Sequence, residues 1–268
     1  MVLLKINKKI VLEHIEIQNK GIESTKRLLN SAKKKFWKKN DVKRLIPILY
    51  REYIPLGINQ FVLEDYPNTI KSFSNSFELI LEMLNLGKIS DPSYSDIEVI
   101  AASSLLGRDE KLVALANKLF NEFDFDMKLS KNVGNNSEEE EFLQARHGIA
   151  ALLGWIAKRS ISEIESHSLM SDKTSSHFKQ FKLWGQCAIA AKKKDLNTLN
   201  SSIEELAEYV KHEMRYGDFK LSHEQYVYLP AMLILYLAKR DGLEIKLPTI
   251  PQFPEEILNL KNLVPRQE

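Results

Sequence analysis

From Tyr226 to Ala238 the chain reads Tyr-Val-Tyr-Leu-Pro-Ala-Met-Leu-Ile-Leu-Tyr-Leu-Ala, with no charge and no polar face. A helix made of this run is apolar all round and needs neighbours on every side. It is too short to cross a bilayer, which takes roughly 20 apolar residues. The run therefore predicts a buried helix near the centre of an all-helical protein. Ser222-His-Glu-Gln225 has the form of a capping box and predicts the helix start. Lys239 and Arg240 suit the negative end of the helix dipole, and Gly242 supplies a left-handed residue to stop it. Pro230 conflicts with this reading: eight positions past the proposed cap, it must kink the helix or split it, because it has no N–H and crowds the carbonyl four residues back.

Composition supports helix elsewhere. Ten glycines and nine prolines are few for 268 residues, and the abundant Leu, Lys, Glu, Ala and Ile favour helix over strand. The expectation is a single all-helical domain over 1–268, with 1–60 a basic N-terminal helical portion and 247–268 an extended, proline-containing tail. A lone cysteine, Cys187, excludes an intramolecular disulfide and sits in an apolar run, as a buried thiol of a reducing compartment would. Met1-Val-Leu-Leu-Lys has too short an apolar run for a secretory signal, so a cytoplasmic location is expected. Charge is uneven. Residues 1–60 hold fourteen Lys/Arg against five Asp/Glu, a balance of +9, which leaves −7 for the rest of a chain whose total is +2. Such asymmetry suits a charged partner, although basic helix faces are more often simply solvated.

Periodicity predicts the following elements. Glu23 to Lys39 reads as an amphipathic helix with Leu28, Leu29, Ala32 and Phe36 inward. Lys33-Lys-Lys-Phe-Trp-Lys-Lys39 interleaves aromatics with bases as single-strand nucleic-acid grooves do, but Phe36 belongs to the core face and no nucleic-acid module is recognisable, which argues against nucleic acid. Asp41 caps a short helix through Tyr53, interrupted at Pro47 and closed near Pro55-Leu-Gly57. Asn68 to Leu86 is helical, with Ile70, Phe73, Phe77, Ile80, Leu81 and Leu84 at three- and four-residue spacings, and Gly87 stops it. Ser95-Asp-Ile-Glu98 is a second capping box, opening a helix through Leu106. After Gly107-Arg-Asp109 an antiparallel partner carries Leu112, Leu115, Ala116 and Leu119.

Lys131 to Asn136 is a polar loop. Ser137-Glu-Glu-Glu140 then opens a helix through Lys158 with Ala145, Ile149, Leu152, Leu153 and Ile156 inward. Four consecutive acids, Glu138, Glu139, Glu140 and Glu141, complement the positive helix end. That explains some of them; the sharper reading is a docking patch for a basic partner. A Ser-rich connection spans 160–176. Helices follow from His177 to Lys194, with Trp184, Ala188 and Ala191 on one side, and from Leu199 to Arg215. Ala101 to Asp109 and Ala188 to Asp195 both pass from small residues through a basic corner to Asp. The overall expectation is an irregular stack of antiparallel helical hairpins, tetratricopeptide-like, around the buried C-terminal helix.

No reactive constellation emerges from local spacing. His212-Glu213-Met-Arg-Tyr216 begins like a zinc-protease helix but has Tyr where the second His ligand must stand. There is no His-Asp pair, no acidic-pair motif and no glycine-rich phosphate loop. Arg146-His147 lies on an inward-facing helix, where a hydrogen-bonded core histidine is the commoner outcome than a site. Cys187 has no base near it in sequence. No catalytic residue, metal or cofactor is therefore expected from local spacing, although residues distant in sequence can still converge.

Residues 177–247 carry a resemblance. Trp184 through Ala188 and Ala191, the corner Lys194-Asp195, the helix to Val210, then Tyr226 through Leu235, Leu237-Ala-Lys-Arg-Asp-Gly-Leu243 and Pro248 resemble the immunity proteins of bacterial polymorphic toxin systems, closest to immunity protein family forty-nine. The resemblance covers about the C-terminal third, and its positions are mostly core and capping residues, so it transfers no binding residue. It implies a non-enzymatic, all-helical protein that binds and neutralises a cognate toxin. The acidic body suits a basic partner such as a nuclease-like toxin domain. The alternative is a helical-repeat scaffold or regulator with a concave protein-binding groove; an enzyme with a dispersed site would need a deep pocket of converging polar groups.

Overall fold

The computed structural model describes residues 6–34, 39–86, 93–122, 136–173 and 178–263. Among them every regular element is helical: α1 (Lys8–Lys34), α2 (Lys39–Val62), α3 (Tyr66–Asn85), α4 (Tyr94–Ser104), α5 (Asp109–Glu122), α6 (Asn136–Ile156), α7 (Ile161–Ser171), α8 (Lys179–Lys193), α9 (Leu196–Tyr216) and α10 (Leu229–Arg240), with 3-10 turns at Phe219–Leu221, His223–Gln225 and Glu255–Asn262. Helices that are neighbours in sequence mostly pack together. α2 lies between α1 and α3, α6 is held by α5, α7 and α8, α9 covers α8, and α10 rests on α4 and reaches α8. Lengths run from 11 residues in α4 and α7 to 27 in α1, so no fixed repeat length runs through this all-α stack.

The apolar run does form a buried helix, but a shorter one. α10 begins at Leu229 and buries Leu229 to Leu235, Leu237 and Ala238. Pro230 falls in its first turn, where a missing N–H costs nothing. The stretch from Ser222 is instead a separate 3-10 turn and an extended link, so Ser222-His-Glu-Gln225 caps no long helix. Pro47 and Pro55 behave oppositely. α2 runs unbroken through both, against the expectation of an interruption and a stop. Packing along α1 and α3 outweighs the lost hydrogen bonds: Ile46, Leu49, Tyr50, Tyr53, Ile54 and Ile58 are all buried.

Other boundaries move for local reasons. α1 starts at Lys8, well before Glu23, and Leu28 is 49% exposed rather than inward. The α4 box is made by Ser93 and Asp96, not Ser95 and Glu98: Asp96 Oδ2 accepts from Ser93 N at 2.7 Å. The Ser-rich 160–176 stretch contains α7, whose box pairs Ser160 with Glu163. α6 is the most enclosed helix, buried at every position from Gln144 to Ala157 rather than along one stripe. The backbones of Glu138 to Glu141 belong to its first turns, but their side chains lie outside the described residues, as do Phe36, Trp37, Gly87 and the 131–135 segment.

One corner recurs. At Glu64, Lys158, Lys194 and Gly242 the chain turns left-handed, with φ of 63°, 58°, 57° and 70°. In each case the next residue's N–H reaches back six residues inclusive, from Asp65 to Gln60, Arg159 to Gly154, Asp195 to Ala190 and Leu243 to Ala238, all at 2.9 Å. This is the Schellman closure of a helix end. Asp65, Ser160 and Asp195 then cap α3, α7 and α9, so stop and start share two or three residues. Beyond Gly242 the chain forms no helix up to Pro254 and then the 3-10 segment Glu255–Asn262, so the tail is not extended throughout; buried Ile250, Gln252 and Phe253 anchor it. Gln252 accepts from Tyr228 N and donates to the Gln225 carbonyl, both at 3.0 Å, which ties the tail to the link before α10.

Candidate functional site

Because Ser93 and Asp96 make the α4 cap, Glu98 is free to point inward. It sits between Ile97 and Val99 on a helix buried from Asp96 to Ser104. Asp96 also accepts a short hydrogen bond from the buried Tyr50 hydroxyl, which joins α2 to α4. On the other side, the 3-10 turn that Pro230 leaves outside α10 presents His223 and Glu224. His223 Nε2 lies 2.6 Å from Glu98 Oε1, and Nδ1 faces Glu224 Oε2 at 3.6 Å. Ser222 Oγ donates a short bond to that same Glu224 oxygen.

Glu98 and Glu224 are buried, and His223 is nearly so. Burial alone would lower the His223 pKa, but the charge and hydrogen bond of Glu98, with the charge of Glu224, lift it to about 9. Burial raises the Glu98 carboxyl, and the imidazole opposes that rise. At neutral pH the ring is thus an imidazolium, with Glu98 on one side of it and Glu224 on the other. Arg51 contributes a further positive field at Glu98. The Tyr94 hydroxyl, buried and without a hydrogen-bond partner, lies within electrostatic reach of both carboxylates.

Of this cluster, His223 and Ser222 line a cleft of about 280 Å³. α1 contributes His14, Ile17 and Gln18, α2 contributes Pro55 and Asn59, and the link contributes Leu221 to His223, Gln225 and Tyr226. Asn59 Nδ2 donates to Gln18 Oε1 at 3.1 Å across the floor. Ile17 is 66% exposed and Leu221 82% exposed, so two large apolar side chains that line the cleft stand in water. The cleft can take an apolar side chain from a partner; among its polar groups Asn59 pairs with Gln18 and Gln225 Nε2 donates to the Ser222 carbonyl, while Asn59 Oδ1 is buried without a partner.

The residues singled out from sequence lie elsewhere. Arg146 and His147 are buried in α6, where His147 Nδ1 is 2.9 Å from His167 Nδ1 and the two rings stack at 5.1 Å. Phe120 packs edge-on against His167. Cys187 is fully buried, and burial pushes its thiol well above the usual range. His212 is exposed on α9 beside Tyr216. Glu98 and Glu224 had been assigned to helix starts, and no local spacing links them. One signal was present: Glu98 is the single charge in Ile97-Glu-Val-Ile-Ala-Ala102, and a lone buried charge needs a partner. Among the described residues no helix is long and apolar enough to cross a membrane. Compared with known protein families, curated proteins and solved structures, the chain matches none.

Proposed function

We propose that this chain is a non-enzymatic binding protein that neutralises a cognate bacterial toxin, as its resemblance to the immunity proteins of polymorphic toxin systems implies. The observation that carries the reading is the pair of exposed side chains at the cleft, Ile17 on α1 and Leu221 before α10. Exposed apolar groups around a concave site are what a protein partner buries on docking. Two further features agree with it. The residues that carry the resemblance, among them Trp184, Ala188, Ala191, Val210 and Leu235, are core positions of α8, α9 and α10, which leaves the surface free to serve recognition. The balance of −7 over residues 61–268 favours a partner with a basic surface, and complementary charge speeds encounter more than it strengthens the complex.

The test is co-expression with the toxin encoded beside this gene. The chain is expected to rescue growth and to co-purify with the toxin. Leu221→Asp and Ile17→Asp, both at exposed positions, are expected to weaken the complex at least tenfold without lowering the melting temperature by more than a few degrees. Failure of the folded, unmodified chain to bind that toxin overturns the reading. The second reading, a scaffold or regulator, uses the same cleft and predicts an operon with a regulatory rather than a toxic neighbour.

A further inference from the structure

We infer that Glu98, His223 and Glu224 form a site for one divalent transition-metal ion, which fastens the link before α10 to α4. The three residues come from segments 125 positions apart, and one donor atom from each lies within 4.8 Å of the other two. A bound ion at about 2.1 Å from each donor needs those donors roughly 3 Å apart. Glu98 and His223 Nε2 are already at 2.6 Å, whereas Glu224 faces Nδ1, so an ion on Nε2 requires Glu224 to swing round the edge of the ring and Glu98 to open slightly. One imidazole nitrogen with two carboxylate oxygens suits zinc, manganese or ferrous ions better than calcium or magnesium, which favour all-oxygen shells.

Charge argues the same way. A divalent ion on a neutral ring balances the charge of two coordinating carboxylates, which a single imidazole cannot do. The partnerless Tyr94 hydroxyl is in range to act on a coordinated carboxylate, and Ser222 already holds Glu224, as outer-shell groups of metal sites do. His223 and Ser222 also line the cleft, which gives an ion a route from solvent. Binding replaces the ring proton, so each ion taken up releases about one proton. The inference does not depend on the toxin-binding reading, because its test involves no partner.

The chelator-treated full chain is titrated with zinc chloride by calorimetry at pH 8 in two buffers of different ionisation enthalpy. The expected result is one ion per chain, release of about one proton, and a melting temperature raised by several degrees in excess zinc. Glu98→Gln and Glu224→Gln keep the shape of the originals and one acceptor oxygen, and remove the negative charge. Each is expected to weaken zinc binding at least tenfold, and if one of them fails to fold the other decides. Cobalt substitution gives a second readout, a visible absorption band lost in His223→Gln. The inference is overturned if no saturable one-to-one binding occurs, if both glutamine variants bind zinc as the parent does, or if calcium binds as tightly as zinc.

Discussion

A Cβ on Gly148 would stand 2.1 Å from the carbonyl oxygen of Phe181. α6 and α8 therefore meet backbone to backbone, and only the absence of a side chain allows it. Gly148→Ala must push the two helices apart through the most enclosed part of the molecule. The expected cost is about 3 kcal/mol or more, the upper end for overpacking a core. Urea unfolding measures it; an unchanged midpoint would show that α6 and α8 do not touch there.

Lys194 holds a left-handed conformation in which a side chain is strained, at the same corner where Gly242 is not. Lys194→Gly is expected to stabilise by about 1 kcal/mol, and Gly242→Ala to destabilise by a similar amount. Thermal melts of the two variants should move in opposite directions. A loss of stability in Lys194→Gly would contradict the corner between α8 and α9.

Pro47 sits inside α2 and removes one backbone hydrogen bond, whereas Pro230 sits in the first turn of α10 and removes none. Pro47→Ala is expected to raise stability by about 1–3 kcal/mol. Pro230→Ala is expected to give no gain, because it restores no bond and thins a buried contact. Chemical denaturation of both variants checks the contrast.

The pKa of His223 is raised from 6.5 to about 9 by its carboxylate neighbours. A group raised in the folded state binds its proton more tightly there, so its contribution to stability is complete below pH 6.5 and is lost as pH climbs through about 9. Stability of the metal-free chain should fall across that window, and His223→Gln should flatten the fall. Unfolding free energies measured every half unit from pH 6 to 9.5 decide it; an equal slope in the variant would locate the titration elsewhere.

Cys187 is sealed in α8 with its thiol pushed up by burial. Ellman's reagent should react with it only as fast as the chain unfolds and at once in denaturant. Reaction of the native chain within seconds would contradict its placement.

Much of the architecture was legible because helix signals are local. The spacing of Phe73, Phe77, Ile80 and Leu84 and the Gly242 stop each act within a few residues, and each stands where its pattern indicated. Errors arose where a local signal had two readings. Ser95-Asp-Ile-Glu98 has the form of a cap, but the cap forms two residues earlier, at Ser93 with Asp96. Lys158 closes α6 in a left-handed turn that only a glycine would have announced, which helps explain why α7 was hidden in a serine-rich stretch. The prolines of α2 were overruled by burial along α1 and α3, a term that local propensity does not contain.

The sequence by itself determined that this chain is all-helical and that its uncharged run must be buried, because periodicity, capping and hydrophobicity act over one or two turns. Only the tertiary structure decided that Glu98 meets His223 beside Glu224, and that Ile17 and Leu221 line one cleft. Those pairings depend on how α10 lies on α4 and on how Gln252 of the tail holds the link before α10. Contacts between residues more than a hundred positions apart are set by the packing of whole helices, and no short-range pattern encodes them.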